Sequence, residues 1–326
     1  LAYVYRHKGK TAAIRALEHD LDTLRRTLIA QLKTAFSMVL YTREQVSLAR
    51  QNITLAQTLV DAVHLRLQAG EASGMEEIRA NLALSEAQND LREVELAHHL
   101  SRYAFFDAMG LDPAHQSYSI QIPGNLTPFE VAVSQQEILE QMEVLPQMQA
   151  ARERVRQGTM LLRERKSLLL PSWALEWFRQ DRGDGFNHHG FAISLTVPLW
   201  APIKERGALS DARAQREEAD CNLQSIRLGV KREVEEAWHH FEISRDIIRE
   251  YQKNIAEKSR TLLDMAQEAY QMGAIGIMEM LDSQRAYLDS RRRFLRALHE
   301  YHDRVIQMER YWHQPLVFPQ AHPSAP

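Results

Sequence analysis

The fold is decided by residues 14–67, IRALEHDLDTLRRTLIAQLKTAFSMVLYTREQVSLARQNITLAQTLVDAVHLRL. A seam residue returns every ~3.5 positions, which is the period of helices that pack side by side in coiled coils. Since no Pro or Gly occurs from Lys10 to Ala69, the pattern predicts one continuous helix over 10–69, roughly 90 Å long at 1.5 Å per residue. The seam consists of Ile14, Leu17, Leu21, Leu24, Leu28, Leu32, Ala35, Val39, Thr42, Val46, Ala49, Ile53, Ala56, Val60, Val63 and Leu67.

The same seam returns 202 residues later, so that Leu21 corresponds to Leu223 and the polar Thr42 to Ser244. A polar exception at the same place in both copies indicates an internal duplication. The second copy predicts a long helix over 205–271. Further pairs at this offset are Leu24 with Ile226, Leu28 with Val230, Leu32 with Val234, Ala35 with Ala237, Val39 with Phe241, Val46 with Ile248, Ile53 with Ile255 and Val60 with Leu262, whereas Ala56 meets Lys258.

Each long helix ends at a glycine-bearing turn, which we call a tip turn, at residues 70–74 and 272–276. Glycine favours the left-handed conformation that closes many helices. A returning helix is predicted after each turn, over 75–109 and 277–312, so that each repeat contains a long helical hairpin. The four tip glycines are Gly70, Gly74, Gly273 and Gly276.

A short β part precedes the second long helix. After a predicted helix at 134–166, with a break near Pro146, residues 169–200 read as a β-hairpin. The uncharged stretch 191–200 alternates strictly and has the ~9–11 residue length of a transmembrane β-strand; a hairpin in a soluble β-sandwich is the alternative. The apolar positions are Trp173, Leu175, Trp177, Phe191, Ile193, Leu195, Val197 and Leu199.

Composition excludes several classes of protein. The formal net charge is −3, from 40 basic and 43 acidic residues, so the chain lacks the excess of basic residues that indicates nucleic-acid binding. The single Cys221 excludes an intramolecular disulfide and a zinc-finger framework. Without a nucleophile–His–acid motif or a Gly-rich phosphate loop, we expect no enzyme and no cofactor. Adjacent histidine pairs such as His98 and His99 point about 100° apart on a helix, so we expect no metal site.

The expected domain organisation is two repeats, 1–132 and 133–312, and a tail at 313–326. By symmetry with the second repeat, Leu1–Tyr5 is interpreted as the end of a strand that enters the first long helix. A helix and a β-hairpin precede the long helix of the second repeat, but no equivalent segment precedes the long helix of the first repeat. We therefore interpret the chain as N-terminally incomplete.

From Tyr3 to about Trp312, the chain resembles the TolC-type outer-membrane efflux proteins, the outer membrane factors of tripartite efflux systems. The strand end Val197-Pro198-Leu199-Trp200 is similar to that family's Pro-Leu-aromatic junction. The two tip turns, entered by Leu67-Gln68-Ala69-Gly70 and Tyr270-Gln271-Met272-Gly273, also resemble the family's turns. Individually these motifs are short; their order and spacing carry the resemblance.

The resemblance implies a mainly α fold with a small β part, whose hairpin contributes to a trimeric β-barrel in outer-membrane lipid. The long helices then form an α-helical tunnel across the periplasm of a Gram-negative bacterium. It also implies a periplasmic adaptor (membrane fusion protein) and an inner-membrane pump as partners of the homotrimer. The expected function is passive export of small molecules or metal ions, as in tripartite efflux or type I secretion.

The candidate gate lies just beyond the second tip turn. Glu279 and Asp282 share a helix face and align with the acidic pair that resembling proteins place at the periplasmic constriction. Tyr270 aligns with a tyrosine used in closing contacts, whereas Ile275 stands where an arginine is expected. The alternative for the acids is a first-turn position favoured by the helix dipole. The tip glycines are candidate adaptor contacts, or are needed for turn geometry alone.

Two other functions fit part of the pattern. A non-enzymatic coiled-coil scaffold protein would explain the long helices, but it has no reason to contain the hairpin at 169–200. A periplasmic adaptor would have one helical hairpin flanked by Gly-rich β segments, and the chain has two helical hairpins.

Overall fold

The computed structural model describes residues 1–112, 122–128, 130–131, 133–181, 187–312 and 316. Three stretches of sequence lie wholly or mainly outside these residues: the short segment 117–122, in which polar and apolar residues alternate; the glycine-containing residues 182–185 of the predicted β-hairpin; and the tail 313–326. The elements, in chain order, are α1 (Ala2–Gln68), α2 (Gly74–Ala108), α3 (Gln135–Glu140), a 3₁₀ turn (Gln141–Val144), α4 (Pro146–Ser167), β1 (Ser172–Asp181), β2 (Asn187–Thr196), α5 (Ala201–Lys204), α6 (Arg206–Glu250), a π-helical turn (Tyr251–Ile255), α7 (Ala256–Gln271) and α8 (Ile277–Glu309).

The mainly α fold with a small β part is confirmed. The break near Pro146 is also present, because Pro146 opens α4 at a first-turn position, where its missing N–H costs no hydrogen bond. Within the described ranges, no helix is both long and apolar enough to cross a membrane.

The expectation of a strand end at Leu1–Tyr5 is wrong, because α1 begins at Ala2. A strand needs a neighbouring strand to satisfy its backbone N–H and C=O groups, whereas a helix satisfies them internally. In the described part of the chain, the paired strands are β1 and β2. Residues 2–5 extend the helix instead, which gives each of their C=O groups an N–H partner four residues later.

The chain forms two compact units, Leu1–Arg25 with Glu140–Arg232 and Arg26–Leu139 with Glu233–Pro326. Each unit combines residues from both predicted repeats, and the division at residue 132 stays a prediction about duplication. In the second unit, α1, α2, α7 and α8 share one apolar core. Its members are Leu48, Leu59, Val63, Ala80, Leu263, Ala266, Tyr270, Ile277, Met280, Leu281, Tyr287, Leu288 and Leu295.

In the first unit, α1 buries a face of small residues instead of its leucine seam. Ala12 and Ala16 are buried, and the Cβ position of Gly9 lies 3.4 Å from the Cβ of Met160 on α4. The leucines on the seam remain outside this packing. Ile14, Leu17, Leu21 and Leu24 are 49–65% exposed.

The polar exception in the seam has a physical explanation. The Oγ1 of Thr42 lies 2.9 Å from Nδ1 of His98 and 2.8 Å from Oγ of Ser101, both on α2. Burial lowers the pKa of His98, and the neighbouring Arg102 lowers it further. The group joins α1 to α2 by hydrogen bonds between buried or half-buried polar atoms, which would be costly to leave unpaired.

The π-helical turn corrects two of the predicted seam pairs. Ile255 and Leu262 were expected to face inward, but they are 39% and 51% exposed. The neighbouring Leu263 is fully buried instead. A π turn accommodates one extra residue in an α-helix, so the inward face beyond it moves by one position.

The hairpin has the register that its alternation predicts. Trp173 pairs with Leu195, Leu175 with Ile193 and Trp177 with Phe191. Because paired residues lie on the same face of a sheet, the predicted apolar positions of both strands form one surface. The opposite face carries mainly small and polar residues, including Ser172, Ala174, Glu176, Ala192, Ser194 and Thr196, together with Phe178 opposite Gly190.

We expect the substitution Gly158→Ala to destabilise the first unit. Gly158 is inside α4, and a Cβ there would lie 3.1 Å from the backbone Cα of Arg216 on α6, so the two helices would have to separate. Gly229→Ala is the matched control, because its Cβ meets open space and the better helix propensity of Ala should stabilise by about 0.5–1 kcal/mol. Thermal unfolding followed by circular dichroism measures both; an equal rise in the two midpoints would contradict the close packing.

Candidate functional site

The two tip turns have the same backbone structure. Gly70 and Gly273 have φ angles of 77° and 73°, a left-handed conformation that glycine adopts without strain. The N–H of Glu71 donates to the C=O of Arg66 at 2.8 Å, and the N–H of Ala274 donates to the C=O of Ala269 at 2.8 Å. These are the hydrogen bonds of a Schellman cap, so turn geometry explains the first glycine of each turn.

The second glycine of each turn has a different place. Gly74 is the first residue of α2, after the N-cap Ser73, and Gly276 is the N-cap of α8 with an extended backbone. An added Cβ at either position meets nothing within 4 Å. Neither space nor a left-handed backbone requires glycine there, so these two positions present a small, open surface beside each turn.

Tyr270 joins the two helical hairpins next to the tip turns. Its ring is buried in the core of the second unit, and its O–H donates to Oε2 of Glu76 on α2 at 2.9 Å. Burial, together with this hydrogen bond and the charge of Glu76, raises the pKa of Tyr270 to about 12. The phenol is therefore a stable donor at neutral pH, and the bond ties α7 to α2.

Arg66, in the last turn of α1, makes a second connection to Tyr270. Its Nη1 donates to the C=O of Tyr270 at 2.9 Å, and Nη2 donates to the C=O of Glu71 at 3.3 Å. The Cζ of the guanidinium lies 4.8 Å from the centroid of the tyrosine ring, within the range of a cation–π interaction. We call Arg66, Glu76 and Tyr270 the tip latch.

Sequence reasoning found Tyr270 but missed its two partners. The residue at 275, where an arginine was expected, is Ile275, which is half-buried against the core. The guanidinium that contacts Tyr270 belongs to Arg66. One sequence signal pointed to Glu76: with Ser73 three positions earlier, it forms the S-x-x-E pattern of a capping box. The N–H of Glu76 does donate to Oγ of Ser73, at 3.4 Å.

The predicted acidic pair lies apart from the latch contacts. Glu279 and Asp282 are exposed on the first turns of α8, while Ile277, Met280 and Leu281 on the same helix are buried. Oδ1 of Asp282 lies 3.8 Å from Nη1 of Arg285, and both side chains are largely exposed. The two carboxylates thus face away from the core of their own unit.

The apolar surface of the hairpin is open. The side chains of its three cross-strand pairs, from Trp173–Leu195 to Trp177–Phe191, are 60–79% exposed. Val197 and Leu199, just beyond β2, are 53% and 79% exposed. So large an apolar patch marks a surface for protein or membrane contact.

The histidines of the second unit take part in packing. Nε2 of His302 donates to the C=O of Thr127 at 2.8 Å, and the ring of His299 stacks on Tyr41 with centroids 4.7 Å apart. Burial lowers the pKa of both histidines. Among the described residues, no group of three His, Cys, Asp or Glu side chains is arranged to hold a metal ion.

We expect Tyr270→Phe to weaken the second unit by about 1.5–3 kcal/mol, the usual value of a hydrogen bond to a charged group. Urea unfolding at neutral pH measures this loss, and the exposed Tyr3→Phe is the control. Because the folded-state pKa of Tyr270 is above the usual 10, the stability that it contributes is present below pH 10 and declines towards pH 12. This decline should be smaller in Tyr270→Phe, and an unchanged stability at neutral pH would contradict the latch.

Sequence comparisons place the chain with known efflux proteins. The family model described as "Outer membrane efflux protein" matches residues 139–312, slightly more than half of the chain. The cobalt-zinc-cadmium resistance protein CzcC of Cupriavidus metallidurans is 22% identical over 308 residues, which cover 92% of this chain and 73% of CzcC. The pyoverdine export outer membrane protein OpmQ of Pseudomonas putida is 24% identical over 291 residues, which cover 85% of this chain and 60% of OpmQ.

The fold agrees with the sequence comparisons. The outer membrane protein VceC of Vibrio cholerae superposes with a TM-score of 0.82 at 15% identity, over 93% of this chain and 74% of VceC. At this identity the likeness concerns the fold, and the family model supplies the relationship. Long helical hairpins, a two-strand apolar face and the matched family model together establish that the chain belongs to the outer membrane efflux protein family.

Proposed function

We propose that the chain is the conduit-forming subunit of a tripartite efflux system, in the outer membrane and extending into the periplasm. The observation that carries this proposal is the continuous apolar face of β1 and β2, exposed at 60–79%, in a chain of the outer membrane efflux protein family. Export through such a conduit is passive and needs a pore and a gate.

The hairpin is proposed to contribute to a β-barrel shared between copies. Two paired strands leave the backbone groups of their outer edges unpaired, which is not tolerated in lipid unless the sheet closes. The alternation of an apolar face with a small and polar face suits a wall between lipid and a watery lumen. A scaffold protein made of coiled coils would not need this surface.

The exposed half of the α1 seam supports a homotrimer. Ile14, Leu17, Leu21, Leu24 and Leu28 repeat at the coiled-coil period and are 49–65% exposed. A long helix with an uncovered apolar seam is unstable in water unless a neighbour covers the seam. Neighbouring copies of the chain are the proposed neighbour, and three copies arranged in a ring would enclose a tunnel.

A periplasmic adaptor and an inner-membrane pump are the proposed partners at the tip turns. Gly74 and Gly276 leave open space beside the two turns, so an adaptor helix could approach the backbone closely. CzcC is named for cobalt, zinc and cadmium resistance and OpmQ for pyoverdine export. We propose small molecules or metal ions as the cargo.

The tip latch and the acidic pair are proposed to form the gate. The latch fastens the α7–α8 hairpin to α1 and α2 within one chain. Glu279 and Asp282 face away from that chain's core, so in a trimer six carboxylates would line the entrance. Such a ring favours cations and repels itself, which makes closure sensitive to partners and divalent ions.

We expect Ile193→Arg to prevent insertion of the full protein in the outer membrane. An arginine on the lipid face of a barrel costs about 2–4 kcal/mol at the bilayer midplane. Ser194→Arg is the matched control, since Ser194 is on the opposite face and its charge would face the lumen. Sucrose-gradient fractionation and native mass in detergent measure the result: wild type and Ser194→Arg as membrane-bound trimers, Ile193→Arg depleted. A wild-type protein that is monomeric and outside the membrane fraction would refute the proposed function.

We expect Glu279→Ala with Asp282→Ala to reduce cation selectivity in planar bilayers, because the ring loses the six negative charges that attract cations. The control is Glu217→Ala with Glu218→Ala, a pair of exposed acids on α6 that removes the same total charge elsewhere. An unchanged reversal potential in a salt gradient would assign Glu279 and Asp282 to helix stabilisation alone.

A further inference from the structure

Equivalent residues of the first and second long helices are 202 positions apart before the π turn of the second helix and 203 positions apart after it. Before it, buried positions of α1 and α6 correspond at 202 residues, as for Val39 with Phe241, Thr42 with Ser244, and Val46 with Ile248. The last pair at this offset is Ala49 with Tyr251, which is the first residue of the π turn.

Beyond the π turn, the offset is 203 residues. The buried Val63 corresponds to the buried Ala266, whereas an offset of 202 would match it with Met265, which is 63% exposed. The tip caps follow the same offset. Gly70 corresponds to Gly273 in its positive φ, and the hydrogen bonds donated by the N–H groups of Ala69, Gly70 and Glu71 recur 203 residues later in the second cap.

The second long helix therefore contains one residue more than the first, and the π turn holds it. Across this turn the N–H of Ala256 donates to the C=O of Tyr251, five residues back instead of four. Over the same stretch, α1 runs as an uninterrupted α-helix from Ala2 to Gln68. The wider turn accommodates the inserted residue, so beyond it the second long helix turns the equivalent face toward the core as the first long helix does.

The extra residue gives α7 a second apolar face. In the structure, Leu263, Ala266 and Tyr270 face the core, and Leu262 and Met265 are 51% and 63% exposed. If the wide turn moved from 251–255 to the tip, α7 would rotate by about 100° and take the 202-residue offset. Leu262 and Met265 would then turn inward together with Lys258, and the O–H of Tyr270 would leave Glu76.

We propose that the π turn makes α7 a two-register element that controls the tip latch. The inference rests on the proposed gate and adds its regulation: the register seen here holds the latch, and the rotated register releases it. Two discrete packings of one element are the kind of bistable device that converts small inputs into switching. Tyr251, stacked on Phe294 of α8 with ring centroids 4.2 Å apart, holds the wide turn in its present place.

Deletion of Lys253 tests this inference in the full protein. Lys253 is an exposed residue of the π turn. Its removal should convert the π turn into regular α-helix and leave the orientation of α7 unchanged. Without the extra residue, the second register of α7 should no longer be available. Deletion of Gln51 is the matched control, because this exposed residue corresponds to Lys253 at the 202-residue offset but lies in regular α-helix. It should rotate the tip end of α1 by about 100° out of phase.

Hydrogen exchange and bilayer recordings read out the two deletions. We expect the Lys253 deletion to assemble like wild type, to slow amide exchange in residues 256–271 at least tenfold, and to open less often. The Gln51 deletion should fail to assemble. Equal disruption by both deletions, equal tolerance of both, or a well-folded Lys253 deletion with unchanged exchange would each overturn the inference. If the wild type forms no pore, the proposed function fails, whereas the exchange comparison still decides the register question.

A second variant separates register switching from subunit contact. Leu262→Gln with Met265→Gln removes the apolar face of the rotated register, and should lower the opening frequency while the trimer still forms. Leu228→Gln, at another exposed apolar position, is the control for general loss of surface hydrophobicity. Loss of the trimer in the double variant alone would assign Leu262 and Met265 to a neighbouring copy and overturn the second register.

Discussion

A helix that carries an apolar seam over more than fifty residues must keep that seam facing something that covers it. At 100° per residue, a single inserted residue would turn every later side chain away from its partner. Near the tips, the cover consists of the helices that share the core of the second unit. The extra residue that we infer in the second long helix is compatible with this packing, because the π-helical turn at Tyr251–Ile255 accommodates one additional residue.

Polar groups enter this packing where they find partners. Thr42 interrupts the apolar seam, but its hydroxyl meets His98 and Ser101. Tyr270 buries its ring in the core and pairs its hydroxyl with Glu76, while Arg66 donates to the C=O of Tyr270 in the last turn of α7. Each contact joins two helices, so these polar groups fix which faces meet as well as contributing stability.

The apolar face of the β-hairpin also needs a partner that covers it. Its apolar residues alternate with small and polar ones, and the antiparallel register brings the apolar side chains of both strands to one face. Within the described chain, nothing covers this face. Lipid and neighbouring copies are the cover that we propose, as they are for the leucines of α1.

The sequence by itself predicted the long helices, the glycine turns, the break at Pro146 and the face of the hairpin. These features depend on local periodicity and on residues with special backbone preferences, which are visible along the chain. It also placed Tyr270 at the tip, through resemblance.

Only the tertiary structure decided which side chains meet. Arg66 and Glu76 are far from Tyr270 in sequence, and their contacts with it depend on how four helices pack. The helical start at residues 2–5 and the shift from Leu262 to Leu263 were likewise settled by pairing and packing. The spacing of apolar residues in the sequence shows the period of a helix. A single inserted residue rotates every later side chain about the helix axis, so only the packing against the neighbouring helices shows which face is buried.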